Sequence, residues 1–283
     1  MKKRMLVLLL LLPCLSWAQN DLLKKLDTLP EGQDYEAAVF KGLKIVNFET
    51  TKMVPKGRMY FVVSHRFGSI KSGIEEFFGL DQAVTRLNFV YGITDGFNLG
   101  ISRSSFEKTY EGSMKLRLVR QREGGSPGNL VLMGSLFLNG QLDRDNLPGL
   151  DFEHRLSYAI QALISRKMGP KLSLELIPTF FHDNLVSQDG QDNSQYALGF
   201  GGRYKLSHRV SLNADYGVHL NRTDPSPFRN PLSVGIDIET GGHVFQLHFT
   251  NAQPMNVNNF LAQATGDWGK ADIYFGFNLL RIF

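Results

Sequence analysis

Apolar and polar residues alternate with a period of two along most of this chain, from residue 58 to its last residue. In residues 208–220 and 231–239, every second position is apolar, and polar residues or glycine fill the positions between. Successive side chains of a β-strand point to opposite faces of its sheet. Each of these segments is therefore predicted to be a strand with one apolar face and one polar face.

About twelve such segments can be counted, and the connections between them alternate in length. The segments are 58–66, 82–93, 96–104, 109–122, 128–138, 153–166, 171–181, 194–206, 208–220, 231–239, 243–250 and 271–283. Short turns such as 94–96 and 168–170 alternate with longer polar connections such as 67–81 and 139–152. Short periplasmic turns and longer outer loops are typical of a transmembrane β-barrel. The prediction for residues 58–283 is an all-β fold, an antiparallel up-and-down barrel of about twelve strands in the cell outer membrane.

The first 18 residues have the pattern of a secretory signal peptide. A basic start at residues 2–4 precedes a leucine-rich run, and small residues allow cleavage after Ala18. The one cysteine, Cys14, lies in this leader, so the mature chain is predicted to lack disulfides and cysteine metal sites. Residues 19–57 are predicted to be either a periplasmic N-terminal segment or a plug in the barrel lumen.

The charge of the chain excludes some classes of partner. Three basic residues of the leader contribute to the formal net charge of +4, so the mature chain carries only +1. No block of five or more Lys and Arg residues is present, and binding to nucleic acid is not expected. The histidines show no two-ligand spacing, so neither a metal nor a cofactor is predicted.

The chain ends in an alternating strand whose last residue is aromatic. Its apolar positions are Phe275, Phe277, Leu279 and Phe283, and Arg281 interrupts the pattern. A terminal Phe after such a strand is common in outer-membrane barrels. These four residues are predicted to form the signal that the barrel-assembly machinery recognises.

Thirteen charged residues fall on the predicted lumen face. They are Arg86, Glu111, Lys115, Arg117, Glu153, Arg155, Glu175, Arg203, Lys205, Asp215, Asp237, Glu239 and Asp272. The two signs are nearly balanced, whereas an ion-selective pore is expected to carry one sign in excess. Interior ion pairs that fill a narrow barrel are therefore favoured over a selective channel, because unpaired charges in a confined lumen are costly.

Several short blocks of the sequence carry a resemblance to a known family. They are residues 40–42, 55–57, 64–68, 78–81, 91–95, 103–105 and 278–283. From about residue 40 to its end, the chain resembles an uncharacterised family of exported bacterial outer-membrane β-barrel proteins, a domain of unknown function. The resemblance implies a barrel and accepts Arg281 as part of the terminal pattern, but it implies no substrate.

The predicted role is passive: a narrow pore or solute-binding channel for a small solute, or a structural envelope component, in contact with outer-membrane lipid. An outer-membrane hydrolase is an alternative, and it would need Ser and His on one outward face. Neither Ser64 with His65 nor Ser157 with His154 meets this condition, because odd spacings on a strand place the side chains on opposite faces. An exported soluble β-sandwich that binds a ligand is a further alternative. Residues 70–80 are predicted to form a short amphipathic helix over the barrel mouth.

Overall fold

A computed structural model describes residues 39–145 and 147–283 as a closed antiparallel barrel of twelve strands, in which β12 pairs with β1. The strands are β1 (Met59–Ser69), β2 (Ala83–Thr94), β3 (Phe97–Ser104), β4 (Tyr110–Val119), β5 (Asn129–Leu138), β6 (Leu156–Lys167), β7 (Leu172–Asp183), β8 (Ser194–Lys205), β9 (Val210–His219), β10 (Leu232–Thr240), β11 (His243–Thr250) and β12 (Tyr274–Ile282). This confirms the predicted up-and-down topology and strand number. The predicted leader lies outside the described residues. No helix among the described residues is long and apolar enough to cross a membrane.

Closure of the barrel leaves every strand paired on both sides. β1 and β12 lie antiparallel, with Val63 opposite Leu279 and His65 opposite Phe277. A closed sheet satisfies its backbone hydrogen bonds internally, as hydrocarbon surroundings require. The six short connections and the chain ends share one rim, the short-turn end, and the longer connections share the other, the long-loop end.

Alternation along each strand separates an apolar outer face from a buried inner face. On β11, Phe245, Leu247 and Phe249 are about 40% exposed, whereas Gln246 and His248 are almost fully buried. Aromatic rings also cluster on the outer face near the long-loop end; Phe67, for example, stacks on Phe275 with ring centroids 5.8 Å apart. An apolar band with aromatic residues near a rim is the surface that a membrane barrel presents to lipid.

Three sequence-based predictions about the long-loop end are wrong. Glu153 and Arg155 lie in a 3-10 turn, Phe152–Arg155, and not in a strand, because the Asp151 amide donates to His154 Nδ1 at 2.9 Å and stabilises the turn. Asp272 precedes β12 and accepts a hydrogen bond from the Ser69 hydroxyl at 2.5 Å.

The third error concerns residues 70–80. This connection is an irregular 3-10 stretch, Ile70–Gly79, because Gly73, Phe77 and Phe78 all have positive φ. Ile74 is 71% exposed, so no apolar face of this stretch packs over the barrel mouth.

Placing an arginine at Ile236 tests which face meets lipid. Ile236 is the central residue of β10, and its side chain is 41% exposed on the outer face. We expect Ile236→Arg to lower the free energy of folding into a bilayer by about 2–4 kcal/mol, because a cation at the midplane is poorly solvated. The matched control is Leu220→Arg, just beyond the end of β9, where we expect about 0–1 kcal/mol. Urea titration in lipid vesicles measures both, and equal losses would contradict this orientation.

Candidate functional site

Two chain segments fill the lumen of the barrel from opposite ends. The inner segment, residues 39–54, enters from the short-turn end, and its apolar side chains such as Phe40, Ile45 and Phe48 are buried. The inward loop, residues 251–263, folds in from the long-loop end and carries a short helix, α1 (Val257–Ala262). The segments meet where the rings of Phe48 and Phe260 pack edge to face, with centroids 4.9 Å apart.

The inner segment reverses direction inside the barrel. The Thr50 amide donates to the Leu43 carbonyl at 2.8 Å, and the Ile45 amide donates to the Phe48 carbonyl at 2.9 Å. Residues 43–50 thus form a tight hairpin, called here the lumen hairpin, whose tip is residues 45–48. Residues before it return to the short-turn end, where Lys41 pairs with Glu239 on β10 at 2.7 Å.

One wall carboxylate holds the tip of the lumen hairpin. Asp215 on β9 is 2% exposed, and its Oδ2 accepts from the backbone amides of Val46, Asn47 and Phe48 at 3.0, 2.6 and 3.2 Å. Hydrogen bonds to a charged acceptor are stronger than those between neutral groups. Asp215 therefore anchors three consecutive backbone donors that a reversing chain would otherwise leave unpaired.

Glycines on the wall make room for the apolar side chains of the hairpin. A Cβ at Gly199 would lie 2.6 Å from Phe48 Cε1, and one at Gly201 would lie 2.2 Å from Ile45 Cδ1. A Cβ at Gly217 would lie 3.0 Å from Phe48 Cζ. Any larger residue at Gly199 or Gly201 would displace the hairpin, so these wall positions and the hairpin are complementary in shape.

Three of the predicted lumen charges join an ion-pair network with the inner segment. Glu49 accepts from Lys44 at 3.0 Å and from Lys115 on β4 at 2.7 Å. Arg86 on β2 pairs with Glu111 on β4 at 2.6 Å. The void among these groups measures only about 10 Å³, less than one water molecule needs. The barrel is closed at this depth.

The other predicted lumen charges are distributed between the middle of the barrel and its rim. Glu175, Arg203 and Asp237 are buried, and Asp237 Oδ1 accepts from Gln246 Nε2 at 2.9 Å. Partly exposed near the short-turn end are Arg117, Lys205 and Glu239. In the C-terminal strand, Phe275, Phe277 and Leu279 lie on the outward face, and Phe283 is 47% exposed at the rim.

Three asparagines attach the inward loop to carboxylates of the wall and of the turn between β3 and β4. The pairs are Asn256 Nδ2 with Glu111 at 2.8 Å, Asn258 Nδ2 with Asp183 at 3.0 Å, and Asn259 Nδ2 with Glu107 at 2.9 Å. Burial raises the pKa of Glu107, which lies in that turn. The sequence predicted only a polar outer loop here. Buried apolar residues between the asparagines, Met255, Val257, Phe260 and Leu261, are the signal that could have shown an inward path.

Arg66 on β1 contacts both lumen segments. Its Nη1 donates to the carbonyls of Ala252 and Pro254 at 2.8 and 2.7 Å, and its Nη2 donates to Asn47 Oδ1. The side chain is 1% exposed. Arg66 was missing from the predicted lumen set, although it shares its inward register with Tyr60, Val62 and Ser64.

Histidine and serine side chains meet at one place on the outer face. His182 Nδ1 lies 3.0 Å from Ser194 Oγ near the long-loop end, and the His182 ring stacks on Tyr158. His65 instead hydrogen-bonds to Thr85 at 2.9 Å, while Ser64 points into the lumen.

A family model described as a membrane bound beta barrel domain (DUF5777) matches residues 40–283. The chain belongs to this family. The match confirms the resemblance stated from the sequence and the prediction of an outer-membrane β-barrel. It also spans the lumen hairpin and the inward loop along with the twelve strands. No curated protein matches the chain.

Solved structures of porins and channels share the fold. The NanC porin has a TM-score of 0.50 at 8% identity, with 79% of this chain and 98% of that chain covered. An outer membrane channel from Pseudomonas putida F1 has a TM-score of 0.48 at 16% identity, covering 82% and 98%. The Acinetobacter baumannii outer membrane protein Omp33 has a TM-score of 0.46 at 8% identity, covering 80% and 98%.

Proposed function

We propose that this chain is a gated outer-membrane pore, closed at rest by the lumen hairpin and the inward loop. The shape of the wall carries the proposal. Glycine and serine occupy many of its inward positions, among them Gly199, Gly201, Gly217, Ser135, Ser165 and Ser233. A barrel of about twelve strands can enclose open space when its inward side chains are small. Withdrawal of the two segments would therefore leave a polar path for a small solute.

The lumen hairpin is suited to move because it is not part of the barrel sheet. Contacts between its tip and the wall are hydrogen bonds to Asp215, Asn278 and Gln246 and the packing of Ile45 and Phe48. Such contacts can break without unpairing any barrel strand. We propose that its displacement opens the pore.

A structural envelope component with a permanently filled lumen is the second candidate. The buried ion pairs of Glu49 with Lys44 and Lys115 favour it, because separating such pairs inside the barrel is costly. The two candidates differ in one property: only a gated pore conducts when the lumen hairpin is free to move.

Catalysis is not part of the proposal. A serine hydrolase needs a histidine base that is itself oriented by a third group. The contacts of His182 with Ser194 and Tyr158 supply a base and a hydroxyl, with Tyr158 stacking on the ring in place of an acceptor at its second nitrogen. For the outward residues of β12 with Phe283, we propose recognition by the barrel-assembly machinery.

A reversible crosslink between the inner segment and the wall tests the proposal. Thr51 Oγ1 lies 2.5 Å from Ser165 Oγ on β6, so cysteines at both positions are close enough to form a disulfide. We expect Thr51→Cys/Ser165→Cys to abolish voltage-induced openings in a planar bilayer, and a reductant to restore them.

The matched control joins two wall strands and leaves the inner segment free. Ser233 on β10 and Thr250 on β11 are paired in register, and their hydroxyl oxygens are 2.9 Å apart. The Ser233→Cys/Thr250→Cys variant should open with or without reductant. A full-length chain that stays silent in both redox states of both variants would instead support the structural candidate.

A further inference from the structure

A cavity of about 230 Å³ lies near the long-loop end, apart from the filled middle of the lumen. It is lined by Glu107 in the turn between β3 and β4, by Asp183 at the end of β7, and by Asn258 and Asn259 of the inward loop. One water molecule occupies about 30 Å³ in the liquid, so the cavity has the volume of seven or eight waters. A solute the size of a single sugar ring fits this volume.

Two buried amide oxygens at this cavity have no hydrogen-bond partner among the described residues. Asn258 and Asn259 donate their Nδ2 groups to Asp183 at 3.0 Å and to Glu107 at 2.9 Å, which fixes the orientation of both amides. Their Oδ1 atoms stay unpaired, although the side chains are only 6% and 2% exposed. Buried polar atoms are almost always paired, so two neighbouring exceptions beside a cavity indicate missing donors.

The rest of the lining limits the chemistry of those donors. Phe137 and Leu185 supply apolar surface, and Arg155 supplies a cationic donor opposite the carboxylates of Glu107 and Asp183. A strongly charged solute of either sign would therefore meet a like charge. A hydroxyl group both donates and accepts, so a neutral ring with several hydroxyls matches acceptors on one side and a donor on the other.

We propose that this cavity binds a small neutral polyhydroxylated solute of the size of a monosaccharide. The amide oxygens of Asn258 and Asn259 accept from its hydroxyls, Arg155 donates to it, and its C–H surface packs on Phe137. The proposal does not depend on the pore function, because the cavity exists in the closed barrel.

Equilibrium binding to the full chain tests this site. Saturation-transfer NMR in a detergent without sugar headgroups would compare three neutral probes, D-glucose, D-galactose and D-mannose, with glucosamine and glucuronate. We expect saturable binding of at least one neutral hexose, and binding at least tenfold weaker to the Asn259→Leu variant. Asn88→Leu is the matched control, because Asn88 is a buried asparagine with an unpaired Oδ1 on β2, outside the cavity lining.

A second variant keeps the test decisive if Asn259→Leu does not fold. Leu185 is 43% exposed in the loop after β7, so Leu185→Trp should fill the cavity without breaking a polar contact and should abolish hexose binding. Three results would overturn the proposal: no saturable binding of any neutral hexose, equal binding by the wild type and the folded cavity variants, or tighter binding of glucosamine or glucuronate than of every neutral hexose.

Discussion

Replacing Asp215 by alanine is expected to release the tip of the lumen hairpin while leaving the barrel folded. The substitution removes the carboxylate oxygen that accepts from the amides of Val46, Asn47 and Phe48. An unpaired buried donor costs about 1–3 kcal/mol, so we expect docking of the hairpin to weaken by about 3 kcal/mol or more. A change of this size shifts the docking equilibrium by a factor of about one hundred.

Trypsin measures this release because the inner segment contains Lys41, Lys44 and Lys52. Cleavage at these residues, located by mass spectrometry, should be at least tenfold faster in Asp215→Ala than in the wild type. Asp215→Asn retains one neutral acceptor and should give an intermediate rate. Asn213→Ala, on the same strand and the same inward face, is the matched control and should resemble the wild type. Equal cleavage of Asp215→Ala and Asn213→Ala would show that Asp215 does not anchor the hairpin.

Substitution of Arg66 is expected to loosen the inward loop and the lumen hairpin together. Its guanidinium donates to the carbonyls of Ala252 and Pro254 and to the side chain of Asn47. Arg66→Met keeps most of the volume but leaves two buried carbonyls unpaired. We expect a loss of about 3–5 kcal/mol in the docking of the two segments, because charged hydrogen bonds are worth about 1.5–3 kcal/mol each.

Chymotrypsin reports on the loop through Phe260, which is 1% exposed in the folded chain. Cleavage after Phe260 should rise strongly in Arg66→Met. Arg66→Lys should behave more like Arg66→Met than like the wild type, because an ammonium group cannot reproduce the planar fork that reaches three acceptors. The matched control is Arg103→Met, since Arg103 lies on the outer face with its guanidinium over the Tyr110 ring. If Arg66→Met and Arg103→Met are cleaved equally slowly, Arg66 does not hold the loop.

The barrel was predictable because lipid and lumen impose opposite demands on alternate residues. The apolar and polar positions of β9 to β12 alternate without long interruptions, so their number and pairing followed from the period alone. Errors appeared where local hydrogen bonding overrides the period, as when Asp151 and His154 stabilise a turn in place of the start of β6.

The filling of the lumen was harder to predict because inward positions are judged polar or apolar relative to water. Gly199 and Gly201 looked like members of a polar face, whereas the structure uses them as room for Phe48 and Ile45. An asparagine in an outer loop is ordinarily solvated. The partners of Asn258 and Asn259 are carboxylates at distant sequence positions, which only the closed barrel brings near.

Planar-bilayer conductance tests the central claim, that two inward segments close a pore, most directly. The full chain is compared with a variant that lacks residues 39–54 and has the inward loop replaced by a short Gly-Ser linker, after both are shown to migrate as folded barrels on unheated gels. We predict rare openings from the full chain and stable open steps with little ion preference from the variant. Steady conductance from the full chain as large as that from the variant would contradict the account.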